Sequence, residues 1–279
     1  MSEWARETPW RQGHLLTDTA VSSLGLTNTA YPNETVAIVA THDCDLAQAP
    51  EHEPEVEVVV GHRIISLDGN NTHAKSARTL HISFEGGASF YAEFAATGKY
   101  RVPKSVIVNF GPDGQSRLSS SELATFQRWL ASRYRRSAFP DEFERRLVQE
   151  TKLAAQIAKA VKPHGELITA VLFDVDDGKE REKLGQNDVY MLDIILLHAA
   201  APDNDRAASA AHAAKEVIQK SFATKLFDKK LGKWRSIELR YVDVISEEAL
   251  TYRQFTLMKP WRLEYVSLGA DPPQPIVVE

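Results

Sequence analysis

Leu80-His81-Ile82-Ser83-Phe84-Glu85-Gly86-Gly87-Ala88-Ser89-Phe90-Tyr91-Ala92-Glu93-Phe94 places two short apolar runs on either side of a glycine pair. Glycine adopts the backbone angles that a tight reversal needs, so this stretch predicts a β-hairpin. Similar runs recur outward from it, at Val36–Ala40, Val56–Val60 and Ser105–Phe110. Turn-prone Asp68-Gly69-Asn70-Asn71 and Gly111-Pro112-Asp113-Gly114 punctuate them. Glu55-Val56-Glu57-Val58 alternates strictly, which predicts a strand with one wet face. Short strands with tight turns through residues 1–118 predict a β-barrel-like domain.

Beyond this point the period changes. Ser119 stands three residues before Glu122, the spacing at which a hydroxyl and a carboxylate satisfy unpaired N–H groups at a helix start. Leu123, Phe126 and Leu130 follow on one face, with Arg128 and Arg135 on another. Phe139-Pro140-Asp141 ends this helix and opens a second one, whose apolar stripe is Phe143, Leu147, Ala154, Ile157 and Val161. Pro163-His164-Gly165 stops it, so residues 119–164 form a helical connector. Residues 165–279 read as an α+β sheet domain. Leu167–Val175 and Val189–His198 flank an acidic turn and predict a second hairpin. The Ala-rich run Asp205–Leu226 is a helix with Ala210, Ala214, Val217, Ser221 and Phe222 inward, over strands at Ser236–Ile245, Tyr252–Leu257 and Arg262–Leu268.

The chain has 279 residues, 43% hydrophobic and 25% charged, the composition of a globular protein with a substantial core. No run approaches the length of a membrane helix, the first residues lack a signal-peptide layout, and a single cysteine excludes an internal disulfide framework. The expected location is the cytoplasm, with no membrane partner. The net charge of −5 argues against a uniformly basic nucleic-acid binder. It conceals two basic stretches: residues 119–162 carry nine Lys/Arg against five Asp/Glu, and residues 220–240 carry seven against two. Such stretches can attract a polyanion, or simply face water.

The one cysteine lies in Thr41-His42-Asp43-Cys44-Asp45, where the run Val36–Ala40 ends. Strand ends commonly carry reactive groups, so His42, Asp43, Cys44 and Asp45 are the catalytic candidates. Cys44 could be a nucleophile with His42 on the same face of a strand, although the flanking carboxylates suppress its thiolate. The same groups could hold zinc together with scattered residues such as His14, His62 or His81. The segment could equally be a structural turn, with Asp45 capping Leu46-Ala47-Gln48 and Cys44 a small buried hydrophobe. With no CxxC or HExxH spacing, no phosphate-binding glycine loop and no Gly-x-Ser-x-Gly elbow, no metal site and no cofactor is assigned.

A second polar set comprises Glu166, Asp174, Asp176, Asp177, Asp188 and Asp193. Asp193 stands out, since a buried strand seldom carries an unpaired acid. For nucleic acid the candidates are Arg11, Arg128, Arg133, Arg135 and Arg136, joined by Arg145 and Arg146, with Trp129 and Tyr134 available to stack on a base. The structural alternative places the aromatics in the core, with the arginines reaching outward.

Trp10-Arg11-Gln12-Gly13-His14-Leu15-Leu16 followed by Val36–Thr41 resembles the opening of a MazF/PemK-type barrel. The resemblance implies an SH3-like barrel within the first 118 residues and, more distantly, RNA binding or cleavage. Arg11 and Thr41 fall near positions where that family keeps functional groups. His14 stands where the family has an aspartate. Two function classes follow: a cytoplasmic bacterial protein associated with RNA or DNA, of the toxin–antitoxin or phage-defence kind, and an enzyme built around His42-Asp43-Cys44-Asp45. An interaction or scaffold protein with a protein partner is the third.

Overall fold

The computed structural model describes residues 3–87, 89–132, 139–179, 181–185, 187–251, 254 and 258–261. The protein is mixed α and β, and its first sheet is a curled antiparallel half-barrel. The chain divides into two compact units. One contains the described residues of Met1–Leu67 and Ala77–Tyr134, the other those of Asp68–Ser76 and Arg135–Ala270.

In the first unit, helix α1 (Asp18–Ser23) precedes strand β1 (Thr35–Val39), and the short helix α2 (Asp43–Leu46) follows it. Strands β2 (Glu55–Ile64), β3 (Thr79–Gly86) and β4 (Phe90–Pro103), helix α3 (Lys104–Ile107), strand β5 (Ser116–Arg117) and helix α4 (Ser120–Ser132) complete it. The sheet order is β1-β2-β4-β3-β5. The hairpin expected from Leu80–Phe94 is present, with Phe84 opposite Phe90. The curl arises where two strands differ in length: Val59 pairs with Lys99 while Gly61 pairs with Phe94, so β4 carries extra residues at Ala95–Gly98. A bulge of this kind bends a strand and increases its twist. Gly98 is needed there, because a Cβ would lie 2.5 Å from the Val60 carbonyl oxygen.

The alternation of Glu55–Val58 is kept, with Val56 and Val58 fully buried. These valines join Trp4, Trp10, Val39, Leu46 and Ile107 in one core. Phe126 stacks on Trp129 and meets Phe94 at a tilt, so α4 is held by aromatic contacts. Ser119 caps α4 as expected, its hydroxyl accepting from the Glu122 N–H at 3.2 Å. The Glu122 carboxylate does not return the bond but accepts from the Ser83 hydroxyl at 2.7 Å. The strand expected at Ser105–Phe110 is instead helix α3. Pro103 ends β4, and the turn lets Lys104 and Ile107 both point inward.

The second unit begins with α5 (Asp141–Glu144), a π-helical turn (Arg145–Glu150) and α6 (Leu153–Val161). The single helix expected here is broken where Lys152 takes a left-handed conformation, yet the stripe Phe143, Leu147, Ala154, Ile157 and Val161 is buried throughout. Strands β6 (Ile168–Val175) and β7 (Tyr190–His198) form the expected hairpin. Helix α7 (Asn204–Leu226) leads to β8 (Phe227–Asp228), β9 (Lys233–Trp234), β10 (Ile237–Ser246) and β11 (Lys259–Pro260). The main sheet runs β10-β7-β6-β11, with β10 parallel to β7. Its core gathers Phe143, Leu192, Ile194, Ile218 and Phe222, among others. A second cluster, Leu172, Ile195, Leu197 and Met258, covers the opposite face, which is why β7 is apolar on both sides. Helix α7 turns Ala207, Ala211, Ile218 and Leu226 inward along with Ala210, Ala214 and Phe222, while Val217 is 49% exposed, contrary to its expected inward position. The strands expected at Tyr252–Leu257 and Arg262–Leu268 lie outside the described residues, apart from Gln254.

Candidate functional site

Thr41–Asp45 is a turn at the end of β1, and all four catalytic candidates, His42, Asp43, Cys44 and Asp45, are exposed. Cys44 is therefore not the buried hydrophobe that its position after an apolar strand suggests. His42, not Asp45, is the cap of the local helix. Its Nδ1 accepts from the Cys44 N–H at 3.2 Å, so that nitrogen is occupied on the backbone of the very residue it would have to activate. Asp43 Oδ1 accepts from the Gln12 N–H at 2.8 Å and ties the turn to the preceding loop.

Behind α2, Lys104 is fully enclosed and donates to the carbonyls of Asp45 and Gln48, both at 2.8 Å. Trp4 Nε1 donates to the Leu46 carbonyl at 2.9 Å. Burial pushes the Lys104 ammonium below its ordinary pKa. The turn is thus a clamped rim.

A groove of about 860 Å³ opens beside this rim and includes His42 and Asp45. Four carboxylates line it, Asp45, Glu53, Glu55 and Glu57, against Lys99 and Arg101. Lys99 pairs with Glu57 at 2.7 Å and Arg101 lies 3.6 Å from Glu55. The surplus is negative, the wrong sign for phosphate.

The arginine candidates fare unevenly. Arg11 is exposed and donates to the carbonyls of Thr8 and Trp10 at 2.6 and 2.7 Å. Arg128 is exposed, with Nη2 donating to Thr125 Oγ1 at 3.2 Å. Arg133, Arg135 and Arg136, with Tyr134, lie outside the described residues. Trp129 is 2% exposed and stacked on Phe126, so it serves the core. Arg145 is held by Glu142 and Glu150. Arg146 is buried and all its N–H directions are taken up: Nε by Glu142, Nη1 by the carbonyls of Asp188 and Ser236, Nη2 by those of Lys183 and Gly185. It cannot grip a phosphate. The two guanidinium groups hold the Glu142 carboxyl down at about 2.

The anomalous Asp193 has its partner. Arg240 sits at a bulge in β10 and donates Nε to Asp193 Oδ1 at 2.7 Å, Nη2 to Oδ2, and Nη2 also to Asp177 at 2.7 Å. Carboxylate oxygens of Asp174, Asp177 and Asp193 come within 4.8 Å of one another. The guanidinium supplies the cation for two of them, and the Gly178 N–H donates to Asp174 at 2.8 Å. Burial and the neighbouring acids raise the Asp174 carboxyl above its ordinary value. Sequence could not reveal this pairing, because the partner lies 47 residues away.

A different surface was only hinted at by the charge count over residues 220–240. Strands β8 and β9 form a small hairpin directly after α7, with Phe227 opposite Trp234 and Asp228 opposite Lys233. Asp228 shapes the turn: its Oδ1 accepts from the N–H groups of Lys230 and Leu231 at 3.0 and 3.2 Å. Gly232 then takes φ +64°, a conformation that glycine adopts without strain. The order Asp228-Lys229-Lys230-Leu231-Gly232-Lys233-Trp234-Arg235 therefore projects Lys229, Lys230, Lys233 and Arg235 into solvent. Among the described residues none of these four is ion-paired, and the one acid of the hairpin is bonded to backbone. Trp234 meets Phe227 edge-to-face at 5.3 Å, and Leu231 is 71% exposed. A groove of about 850 Å³ opens at its base, and its lining includes Lys225, Lys233, Trp234, Arg235, Asn187 and Ser236. Glu150 and Asp228 also line it, but Glu150 is paired with Arg145 and Asp228 accepts from the backbone of its own turn. A positive rim over a groove containing an indole is suited to an anionic, aromatic ligand.

Comparisons with protein-family models, with curated proteins and with solved structures gave no match.

Proposed function

We propose that this is a nucleic-acid-binding protein that engages the phosphate backbone through the β8–β9 hairpin of its second unit. The observation that carries the reading is the group Lys229, Lys230, Lys233 and Arg235, exposed on one hydrogen-bonded hairpin and without ion-pair partners among the described residues. Exposed cations on an acidic protein make a local polyanion site, and acids elsewhere restrict binding to that face. The acid-rich groove by Thr41–Asp45 favours no such contact. An SH3-like assignment for the half-barrel, with the RNA association it implies, belongs to the same proposal and rests on the resemblance of Trp10–Leu16 and Val36–Thr41.

Fluorescence anisotropy with labelled DNA and RNA over a series of salt concentrations tests the reading. Neutralising one phosphate per unpaired cation releases condensed counterions, so log affinity should fall against log salt with a slope of about −3 to −4 on duplex DNA. The quadruple charge reversal Lys229→Glu, Lys230→Glu, Lys233→Glu, Arg235→Glu should weaken binding about a hundredfold at low salt. Affinity indifferent to salt, or equal in parent and variant, rejects the proposal.

A further inference from the structure

We infer that the groove at the base of the β8–β9 hairpin receives an unpaired nucleobase, so that single strands are the preferred ligand over duplex; this rests on the nucleic-acid reading above. The cations alone would bind any polyanion. What they do not explain is the recess behind them. Trp234 packs against the core of its unit on one side and lines the groove on the other. Its edge-to-face contact with Phe227 occupies at most one face of the indole. Lys233 and Arg235 line the groove together with Trp234, so phosphates held by them would place the next base near the indole, while the Lys225 ammonium donates to the Thr151 carbonyl.

Asn187 and Ser236 also line the groove, offering an amide donor and acceptor and a hydroxyl, groups that match the polar edge of a base. Among the described residues the Asn187 amide makes no hydrogen bond within the protein. A duplex keeps its bases paired and stacked inside, and presents only phosphates and groove edges. It can meet the lysines but cannot fill the recess. An unpaired strand can do both, and stacking on an aromatic side chain tolerates any base. DNA and RNA strands share this chemistry.

The test uses the full chain and measures affinity for oligothymidylate, oligouridylate and a DNA duplex of equal length. The single strands should bind about tenfold or more tightly than the duplex, the size expected of one base–aromatic stack. Trp234→Ala should weaken single-strand binding about tenfold and leave duplex binding and the salt slope unchanged. Trp234→Phe, which keeps an aromatic ring and guards against a variant that simply fails to fold, should recover most of the loss. A difference between the two oligonucleotides identifies the strand as DNA or RNA, and either result supports the inference. Equal affinity for duplex and single strand, or an equal loss of both in Trp234→Ala, overturns it while leaving the phosphate-binding reading intact. Absence of salt-dependent binding to any of the three ligands removes both.

Discussion

Lys75 shows how a single residue can set a pH dependence. It is 6% exposed, and its ammonium donates to Thr72 Oγ1 at 3.1 Å, to the Ile168 carbonyl at 2.8 Å and to the Gly165 carbonyl. Those acceptors favour the charged form, as do Asp68 and Glu166 nearby, but loss of water outweighs them and lowers its pKa from 10.5 to about 7. Between those two values the unfolded chain keeps its proton and the folded chain releases it. The unfolded state then binds more protons, so stability rises as pH increases from about 7 towards 10.5, and this contribution is flat below 7. Urea denaturation across that range should show the rise in the parent protein and a smaller slope in Lys75→Met. Identical slopes would mean that Lys75 keeps its proton in the fold. At the same scale, Asp193 and Cys44 mark the limit of sequence reading: one is explained by a distant arginine, and the other is exposed despite following an apolar strand.

Elements were legible where their cause is local, and obscure where it is not. The Leu80–Phe94 hairpin, the β6–β7 hairpin and the Ser119 cap depend on residues within a few positions of one another, and all three are present. The curl of the first sheet arises from β4 opposite Val60, where two distant stretches disagree in length, and no single stretch encodes it. Ala210, Ala214 and Phe222 of the inward face expected for α7 are buried, but Val217 is exposed and Ser221 only half-buried, because alanines on several faces leave the apolar stripe ambiguous and the sheet beneath selects Ile218 over Val217. The break in the second helix, at Lys152, follows a turn that is itself tied to distant backbone. Arg146 sits in the π-helical turn and draws the Lys183, Gly185, Asp188 and Ser236 carbonyls onto one guanidinium. Arg146→Met would leave those carbonyls and the Glu142 carboxylate without their buried cation, which should cost about 3–5 kcal/mol. Arg146→Lys, with three donors in place of a planar fork, should recover only part. Chemical denaturation measures both; a change below about 0.5 kcal/mol, the scale of a surface substitution, would show that the network is not stabilising.

For the whole molecule, composition points to a globular protein with a large core, the change of apolar period along the chain to mixed α and β, and the charge count to the basic region of the second unit without placing its side chains. Among the described residues no helix is long and apolar enough to cross a membrane. The least legible feature is connectivity. Asp68–Ser76 is bounded by β2 and β3 of the first unit, yet it belongs by its contacts to the second. Gly69 and Gly165 meet backbone to backbone, where a Cβ on either would lie within 2.6 Å of the other's backbone. Thr72 Oγ1 donates to the Gly165 carbonyl at 3.1 Å, and Lys162 pairs with Asp68 at 2.6 Å. Asp68-Gly69-Asn70-Asn71 reads as an ordinary turn because nothing in it reveals a partner more than ninety residues away. Replacing residues 68–76 by a Gly/Ser linker of equal length should therefore act on the second unit. Amide hydrogen exchange should accelerate through Gly165–Leu172, whose carbonyl partners are lost, while β1 and β2 keep their protection, since their ladder and valine core are untouched. Faster exchange in β1 and β2, with Gly165–Leu172 unchanged, would instead show that the segment supports the unit in which its flanking strands lie.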